Sequence, residues 1–264
     1  MPGSDLLTGL EGVMREAGAL ARGMAASGFR HWTKGEDRSP VSEADIAVND
    51  LLRARLTELA PGAGWLSEET EDDPAARQAA RVWIVDPIDG TRAFISGKPD
   101  WTVSVALVAE GRPVLAGLYA PVLEQMFLAV HGRGARLNGA AIRVSSGNDL
   151  TGARVAGPKK YLEKLEKLAP SVLPQPKVHS LALRLTQVGA AALDAAFSSG
   201  GSHDWDLAAA DLLVHEAGGL LTDFSGRPLS FNCTQTVHRA LVAAGPARHG
   251  AILGLVRDRM PEFA

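Results

Sequence analysis

The segment Val82-Trp83-Ile84-Val85-Asp86-Pro87-Ile88-Asp89-Gly90-Thr91 constrains the fold more than any other stretch. Its first four residues are all β-branched or aromatic, which reads as a buried strand. Pro87 has no N–H to give to a continuing ladder and Gly90 tolerates a sharp bend, so the strand is expected to end at Asp86. Asp86 and Asp89 then project from one turn, with the Ile88 carbonyl between them as a neutral oxygen. Two carboxylates and a carbonyl suit a hard cation with oxygen ligands, and Mg²⁺ keeps waters besides. Asp-Pro and Asp-Gly are also ordinary turn formers, so the segment alone leaves a plain surface turn open. The Asp spacing and the downstream Glu do not fit an EF-hand.

Bulk properties narrow the setting. The chain has 264 residues, 46% hydrophobic and 22% charged, with a formal net charge of −3. That length supports a sizeable core, and that balance offers no global field for nucleic acid or anionic lipid. An anionic ligand would need placed cations or metal ions. Cys233 is the single cysteine, which excludes an intrachain disulfide and a thiolate metal site. Asp5, Glu11, Arg15 and Glu16 interrupt the N-terminal apolar pattern, against a signal peptide, and no apolar run approaches the roughly 20 residues of a membrane span. The expectation is a soluble cytoplasmic protein with no membrane and no nucleic-acid polymer as partner.

Apolar residues recur at helical spacing from Leu6 to Met24 and again from a start near Ser42 to Leu59, where Pro61-Gly62 follows. The stretches 82–85, 102–108, 114–119 and 126–130 read as strands, and Asn138-Gly139 as a hairpin turn. Residues 1–145 thus read as helices against a mostly antiparallel sheet, carrying most of the candidate ligands. Residues 146–264 alternate strand and helix: a strand at Val155, helices at 159–168, 181–188 and 207–217, strands at 195–198, 220–222 and 240–244, and a last helix from Ala251. The fold class is α/β with an α+β first half, the second half closing a cleft of the kind that holds small molecules.

Other acids stand at suggestive places. Glu68 and Glu69 follow the short apolar stretch ending at Leu66-Ser67. Asp206 opens an apolar helix and Asp45 lies near the start of another, where carboxylates also serve as caps or dipole partners. Each of them taken singly is explained by a solvated loop or a cap.

Together they resemble the inositol monophosphatase family of Mg²⁺-dependent, lithium-sensitive phosphatases. The resemblance runs through Ser39-Pro40-Val41-Ser42-Glu43-Ala44-Asp45, Leu66-Ser67-Glu68-Glu69 and Trp83 to Thr91. It continues through Gly134-Ala135-Arg136-Leu137-Asn138-Gly139, Trp205-Asp206-Leu207-Ala208-Ala209-Ala210 and Glu216-Ala217-Gly218-Gly219, covering roughly residues 5 to 245. It implies a layered αβαβα sugar-phosphatase-type fold, with Glu68, Asp86, the Ile88 carbonyl, Asp89 and Asp206 as ligands of two or three Mg²⁺ ions. It further implies that Asp45 and Thr91 pair, with Glu68, to orient or activate the attacking water. Backbone N–H groups of Gly90 and Thr91 would receive the phosphate. The implied partner is a small phosphorylated metabolite, and the implied assembly a homodimer.

The alcohol is less constrained. Inositol-cleaving relatives carry a glutamate seven residues before the aspartate of the Trp-Asp pair, and here that residue is Ser199. The wording Ser39-Pro40-Val41, Leu66 to Glu69 and Gly117-Leu118-Tyr119-Ala120-Pro121 is similar to bacterial 3′(2′),5′-bisphosphate nucleotidases, which cleave 3′-phosphoadenosine 5′-phosphate. Arg184 stands where those enzymes tend to have a lysine and could serve a second phosphate; an exposed helix residue is the plain alternative. Phe94 to Pro99 resembles the inositol type more. His203 is a further candidate for facing the substrate, or an ordinary loop residue. Inositol 1-phosphate and histidinol phosphate therefore stay open as substrates. So do a catalytically silent binding or regulatory protein on the same fold and a structural Ca²⁺ site.

Overall fold

The structure, a computed structural model, describes residues 2–34 and 39–257. In chain order its first half comprises α1 (Pro2–Ser27), β1 (His31–Lys34), β2 (Ser39–Ser42), α2 (Glu43–Leu59), β3 (Gly64–Ser67), β4 (Arg81–Asp89) and the short α3 (Thr91–Ile95). It continues with β5 (Thr102–Ala109), β6 (Arg112–Ala120), β7 (Gln125–Val130), β8 (Ala135–Leu137) and β9 (Ala140–Ile142). The second half comprises β10 (Arg154–Ala156), α4 (Lys159–Leu168), β11 (Leu173–Pro174), α5 (Leu181–Gly189), β12 (Ala195–Ser198), β13 (Ser202–His203) and α6 (Asp204–Glu216). After these come β14 (Leu220–Asp223), β15 (Val237–His238), β16 (Leu241–Ala244) and α7 (Pro246–Val256).

Strands β3 to β9 pair in sequence order into a seven-stranded sheet, antiparallel except for the parallel β3–β4 pair. A five-stranded mixed sheet has the order β11-β10-β12-β16-β14. Strand alternation assigns each side chain to a layer. On β4, Trp83 and Val85 pack with Leu10, Met14, Leu52 and Leu56 of α1 and α2, whereas Val82 and Ile84 face Leu183, Leu207 and Leu213 of α5 and α6. The same happens on the small sheet: Ala196 and Ala243 join the α5–α6 layer, while Phe197 and Val242 pack against Tyr161 and Leu165 of α4 and Ile252 of α7. Five layers result, helix, sheet, helix, sheet, helix. Trp83 can be fully buried because its Nε1–H donates to the Leu56 carbonyl of α2 at 3.0 Å.

Three boundaries differ from expectation, each for a local reason. Strand β4 does not stop at Asp86. Pairing skips from Asp86↔Ser104 to Asp89↔Thr102, so one extra residue is accommodated in a bulge, and Pro87 sits where the ladder asks no donor of it. Helix α6 starts at Asp204 rather than Leu207, which makes Asp206 its third residue, from where its carboxylate caps the helix through the His203 N–H. Helix α7 starts at Pro246, not Ala251, because proline is well suited to a first helical turn. The Asn138-Gly139 turn joins β8 to β9 with positive φ at both residues (48° and 83°). No helix among the described residues is long and apolar enough to cross a membrane.

Candidate active site

The bulge in β4 ends at Gly90, whose φ of 97° is left-handed and whose missing Cβ would otherwise lie 3.3 Å from the Ser180 nitrogen. The chain turns there directly into α3, with Gly90 as N-cap. Three further helices aim their N-termini at the same place. Asp89 accepts from Ser180 Oγ at 2.6 Å and from the Leu181 and Ala182 N–H groups at 3.2 and 2.7 Å, the first turn of α5. Asp206 accepts from His203 N–H at 2.7 Å at the start of α6. Asp45 holds Ser42 through its N–H at 2.8 Å and its hydroxyl at 2.6 Å at the start of α2. Helix N-termini carry partial positive charge and unsatisfied donors, so each carboxylate is both oriented and partly compensated by backbone.

Carboxylate oxygens of Asp86, Asp89 and Asp206 all lie within 4.8 Å of one another. Glu68 joins them because β3 runs parallel to β4 and its N–H donates to the Val85 carbonyl at 3.3 Å. Thr91 Oγ1 lies 3.1 Å from Asp45 Oδ1 and 3.1 Å from the Ile88 carbonyl. A pocket of about 220 Å³ is lined by Glu68, Asp86, Ile88, Asp89, Gly90, Thr91 and Asp206 together.

Over residues 4–260 the chain matches the model of the inositol monophosphatase family. It belongs to that family. The fructose-1,6-bisphosphatase/inositol-1-monophosphatase of Thermotoga maritima is 33% identical over 202 residues, 71% of this chain and 72% of that protein. The Nus factor SuhB of Escherichia coli K12 is 32% identical over 231 residues, 84% of each chain. Among solved structures, the Thermotoga maritima IMPase TM1415 superposes with a TM-score of 0.84 at 26% identity, covering 96% of each chain. The protein is accordingly a phosphomonoesterase of the inositol monophosphatase family.

The electrostatics of this family member's pocket call for cations. Burial first, then mutual repulsion among Glu68, Asp89, Asp206 and Asp45, pushes the Asp86 carboxyl well above its ordinary range. Asp206 is driven up in the same way, by burial and then Asp89. Asp89 is raised by burial against the pull of its α5 donors. Burial lifts Glu68 to about 7, with Lys34 opposing and Glu69, Asp45 and Asp89 adding to the rise. None of the three aspartates forms an ion pair among the described residues; Glu68 has one, with Lys34 at 3.5 Å, and Lys34 is shared with Glu69. An all-oxygen set of buried carboxylates with more negative charge than its one ion pair offsets fits hard divalent cations.

A pH-dependent stability follows. Glu68 has a folded pKa near 7 against an ordinary 4.5, so without metal its proton is held more tightly in the folded state. The resulting stabilisation is complete below about pH 4.5 and is lost as pH rises through 7. Metal-free protein should therefore melt progressively lower between pH 5 and 8. Mg²⁺ at a hundredfold excess over its Kd should raise the melting temperature by about 5–10 °C near pH 8 and by much less at pH 5. Thermal melts in chelator and in Mg²⁺ across that range check this; a metal shift independent of pH would contradict it.

The remaining candidates lie elsewhere. Arg184 is half-buried on α5, its guanidinium donating to the Val178 carbonyl at 3.2 Å, and is absent from the pocket lining. It is not the exposed helix residue that was the plain alternative, and it stays near enough to Asp89 to exert some pull on it. Ser199 is exposed, and its carbonyl accepts from Ser198 and Ser202 hydroxyls at 2.9 and 3.3 Å. His203 is the N-cap of α6, its ring stacked on Trp205 with centroids 4.4 Å apart. None of these side chains lines the pocket, whereas Arg92, Lys177 and His179 do, and sequence reasoning missed all three. It also missed Lys34 and Ser180. Ser180 carried a signal: a serine before the apolar run 181–188 is a standard N-cap, and its Oγ does accept from Leu183 N–H at 2.9 Å.

Proposed function

We propose that this protein is a Mg²⁺-dependent hydrolase of small phosphate monoesters, with 3′-phosphoadenosine 5′-phosphate as its preferred class of substrate. The observation that carries the hydrolase reading is the meeting of Asp86, Asp89, Asp206 and Glu68 with the Thr91–Asp45 pair in one pocket. Glu68, Asp86, the Ile88 carbonyl, Asp89 and Asp206 would hold two or three Mg²⁺ ions. Bound there, the ions neutralise the dianionic ester and acidify a water.

The chain's own groups supply orientation and proton handling. Asp45 Oδ2 is fully engaged by Ser42, which leaves Oδ1 to take the Thr91 hydroxyl proton. With its proton directed there, the Thr91 oxygen presents a lone pair to a proton of the attacking water. The Gly90 and Thr91 N–H groups precede the α3 ladder, whose first bonds run from Ala93 and Phe94 back to the Gly90 carbonyl, and are free to receive phosphate oxygens.

The choice of a nucleoside bisphosphate is supported by Ser199, which offers no carboxylate for sugar hydroxyls and stands away from the pocket lining. A second reading, inositol 1-phosphate or fructose 1,6-bisphosphate, is favoured by the name of the Thermotoga relative. Phosphate release from 3′-phosphoadenosine 5′-phosphate, inositol 1-phosphate, fructose 1,6-bisphosphate and histidinol phosphate, with Mg²⁺ and with chelator, decides between them. We expect the highest kcat/KM for the nucleotide and none of the four cleaved in chelator. A clear preference for inositol 1-phosphate would overturn the nucleotide choice. No Mg²⁺ binding and no turnover of any ester would favour a binding or regulatory protein on the same fold.

A further inference from the structure

Besides the hydroxyls of Ser39 and Thr91, the polar side chains lining the pocket fall into two sets. Its acids are the cluster already described, Glu68, Asp86, Asp89 and Asp206. Outside that cluster the lining offers Arg92, Lys177 and His179, with no further carboxylate and no side-chain amide. Arg92 is exposed at the start of α3, and Lys177 is exposed in the loop before α5. Neither forms an ion pair among the described residues, although four carboxylates stand in the same pocket.

His179 is held in one tautomer. Lys98 Nζ can only donate, and it lies 3.0 Å from His179 Nε2, so that nitrogen accepts and Nδ1 carries the proton. Nδ1–H then donates to Asp100 Oδ2 at 2.7 Å, the same oxygen that accepts the His179 backbone N–H at 2.7 Å. This chain fixes Lys98 beside the pocket with two of its three protons unused.

We infer that Arg92 and Lys177, with Lys98 positioned through His179, form a subsite for a second phosphate of the substrate in the same pocket as the acid cluster. Cations left unpaired beside carboxylates are matched by an anion arriving with the substrate, since the carboxylates are to be satisfied by metal. A polyol carrying a single phosphate would leave these charges unused. A bisphosphate engages the acid cluster's metals with one end and the fork of Arg92 and the ammonium groups with the other. The inference rests on the proposed phosphatase chemistry at this pocket and deepens it from the identity of the ester to the residues that select it.

The test compares esters that differ only in the second phosphate: 3′-phosphoadenosine 5′-phosphate against adenosine 3′-phosphate, and fructose 1,6-bisphosphate against fructose 1-phosphate. Using the full-length Mg²⁺-loaded enzyme, the bisphosphate of at least one pair should have a KM lower by about tenfold or more, since a charge-assisted contact is worth at least that factor. Lys177→Ala and Arg92→Ala should each reduce this ratio and together bring it close to one, with kcat for the bisphosphate holding within about twofold. Lys177→Arg should restore the preference, which a merely structural role for Lys177 would not require. A preference on the sugar pair alone overturns the nucleotide reading and supports the subsite. Equal KM values within both pairs, or a ratio untouched by the double variant, overturn the subsite. Failure to cleave any of the four esters overturns the phosphatase reading beneath it.

Discussion

Replacing Asp86 by asparagine should lower kcat/KM by about a thousandfold or more at saturating Mg²⁺ while raising the melting temperature of the metal-free protein. The two effects have one cause. Asp86 is buried at the centre of four acids, and burial and repulsion both resist its ionisation. In the proposed mechanism metal ions would relieve that cost, and transition-state charge stabilisation of several kcal/mol would depend on them; each 1.36 kcal/mol is a decade in rate. Asparagine removes a charged ligand, so the metals bind weakly and the rate falls. Without metal the same change removes the repulsion at no cost in hydrogen bonding, because the amide oxygen still accepts the Ile88 N–H that Asp86 Oδ1 accepts at 3.0 Å. Steady-state kinetics on the best ester and thermal melts in chelator measure the two arms. Activity within tenfold of wild type, or a metal-free variant less stable than wild type, would sink this account of Asp86.

The second large effect concerns Thr91 and Asp45. Thr91→Ala and Asp45→Asn should each cost about 10² to 10³ in kcat/KM, in the range for loss of a positioned proton acceptor. The double variant should be little worse than the weaker single one. Thr91 Oγ1 lies 3.1 Å from Asp45 Oδ1, and in the proposed mechanism the carboxylate acts on the reaction only through that hydroxyl, so removing either group would disable both. The hydroxyl has a single proton and a second acceptor, the Ile88 carbonyl, also at 3.1 Å. The amide introduced by Asp45→Asn would accept that proton less strongly than a carboxylate and leave it shared with Ile88. Four kcat/KM values at saturating Mg²⁺, for wild type, the two single variants and the double variant, are sufficient. A double variant whose loss is the product of the single losses would show that the groups act independently.

Much of the layered fold was legible before any coordinates, because its signals are local. The β-branched and aromatic run of β4, the periodicity of α1 and α2, the N-cap Ser42 and the Asn138-Gly139 turn all act through neighbouring residues. Where reading failed it did so at places where a neighbour in space overruled a neighbour in sequence. Pro87 ought to end β4, but β5 opposite tolerates the bulge and pairing resumes at Asp89. The apolar run places the start of α6 at Leu207, yet the helix gains its first turn from His203, whose backbone is held by pairing with Val237 of β15, and Asp206 caps it from the third position. The plain alternative for Arg184, an exposed helix residue, fails because the packing of α5 between the two sheets draws it inward to the Val178 carbonyl and near enough to pull on Asp89.

By itself the sequence determined which groups are available: a carboxylate-rich turn after a buried strand, further acids at helix starts, one cysteine and no strong net charge. Those follow from residue chemistry and short-range geometry, which need no partner. Only the tertiary structure decided that the N-termini of α2, α3, α5 and α6 converge, so that Asp89 takes its donors from residues 91 to 93 positions further along the chain. It alone decided that the side chains of Arg92, Lys177 and His179, rather than those of Arg184, Ser199 and His203, line the pocket that holds the acids. Convergence of that kind is set by how two sheets pack on α5 and α6, a many-body result of burying apolar faces that no spacing along the chain encodes.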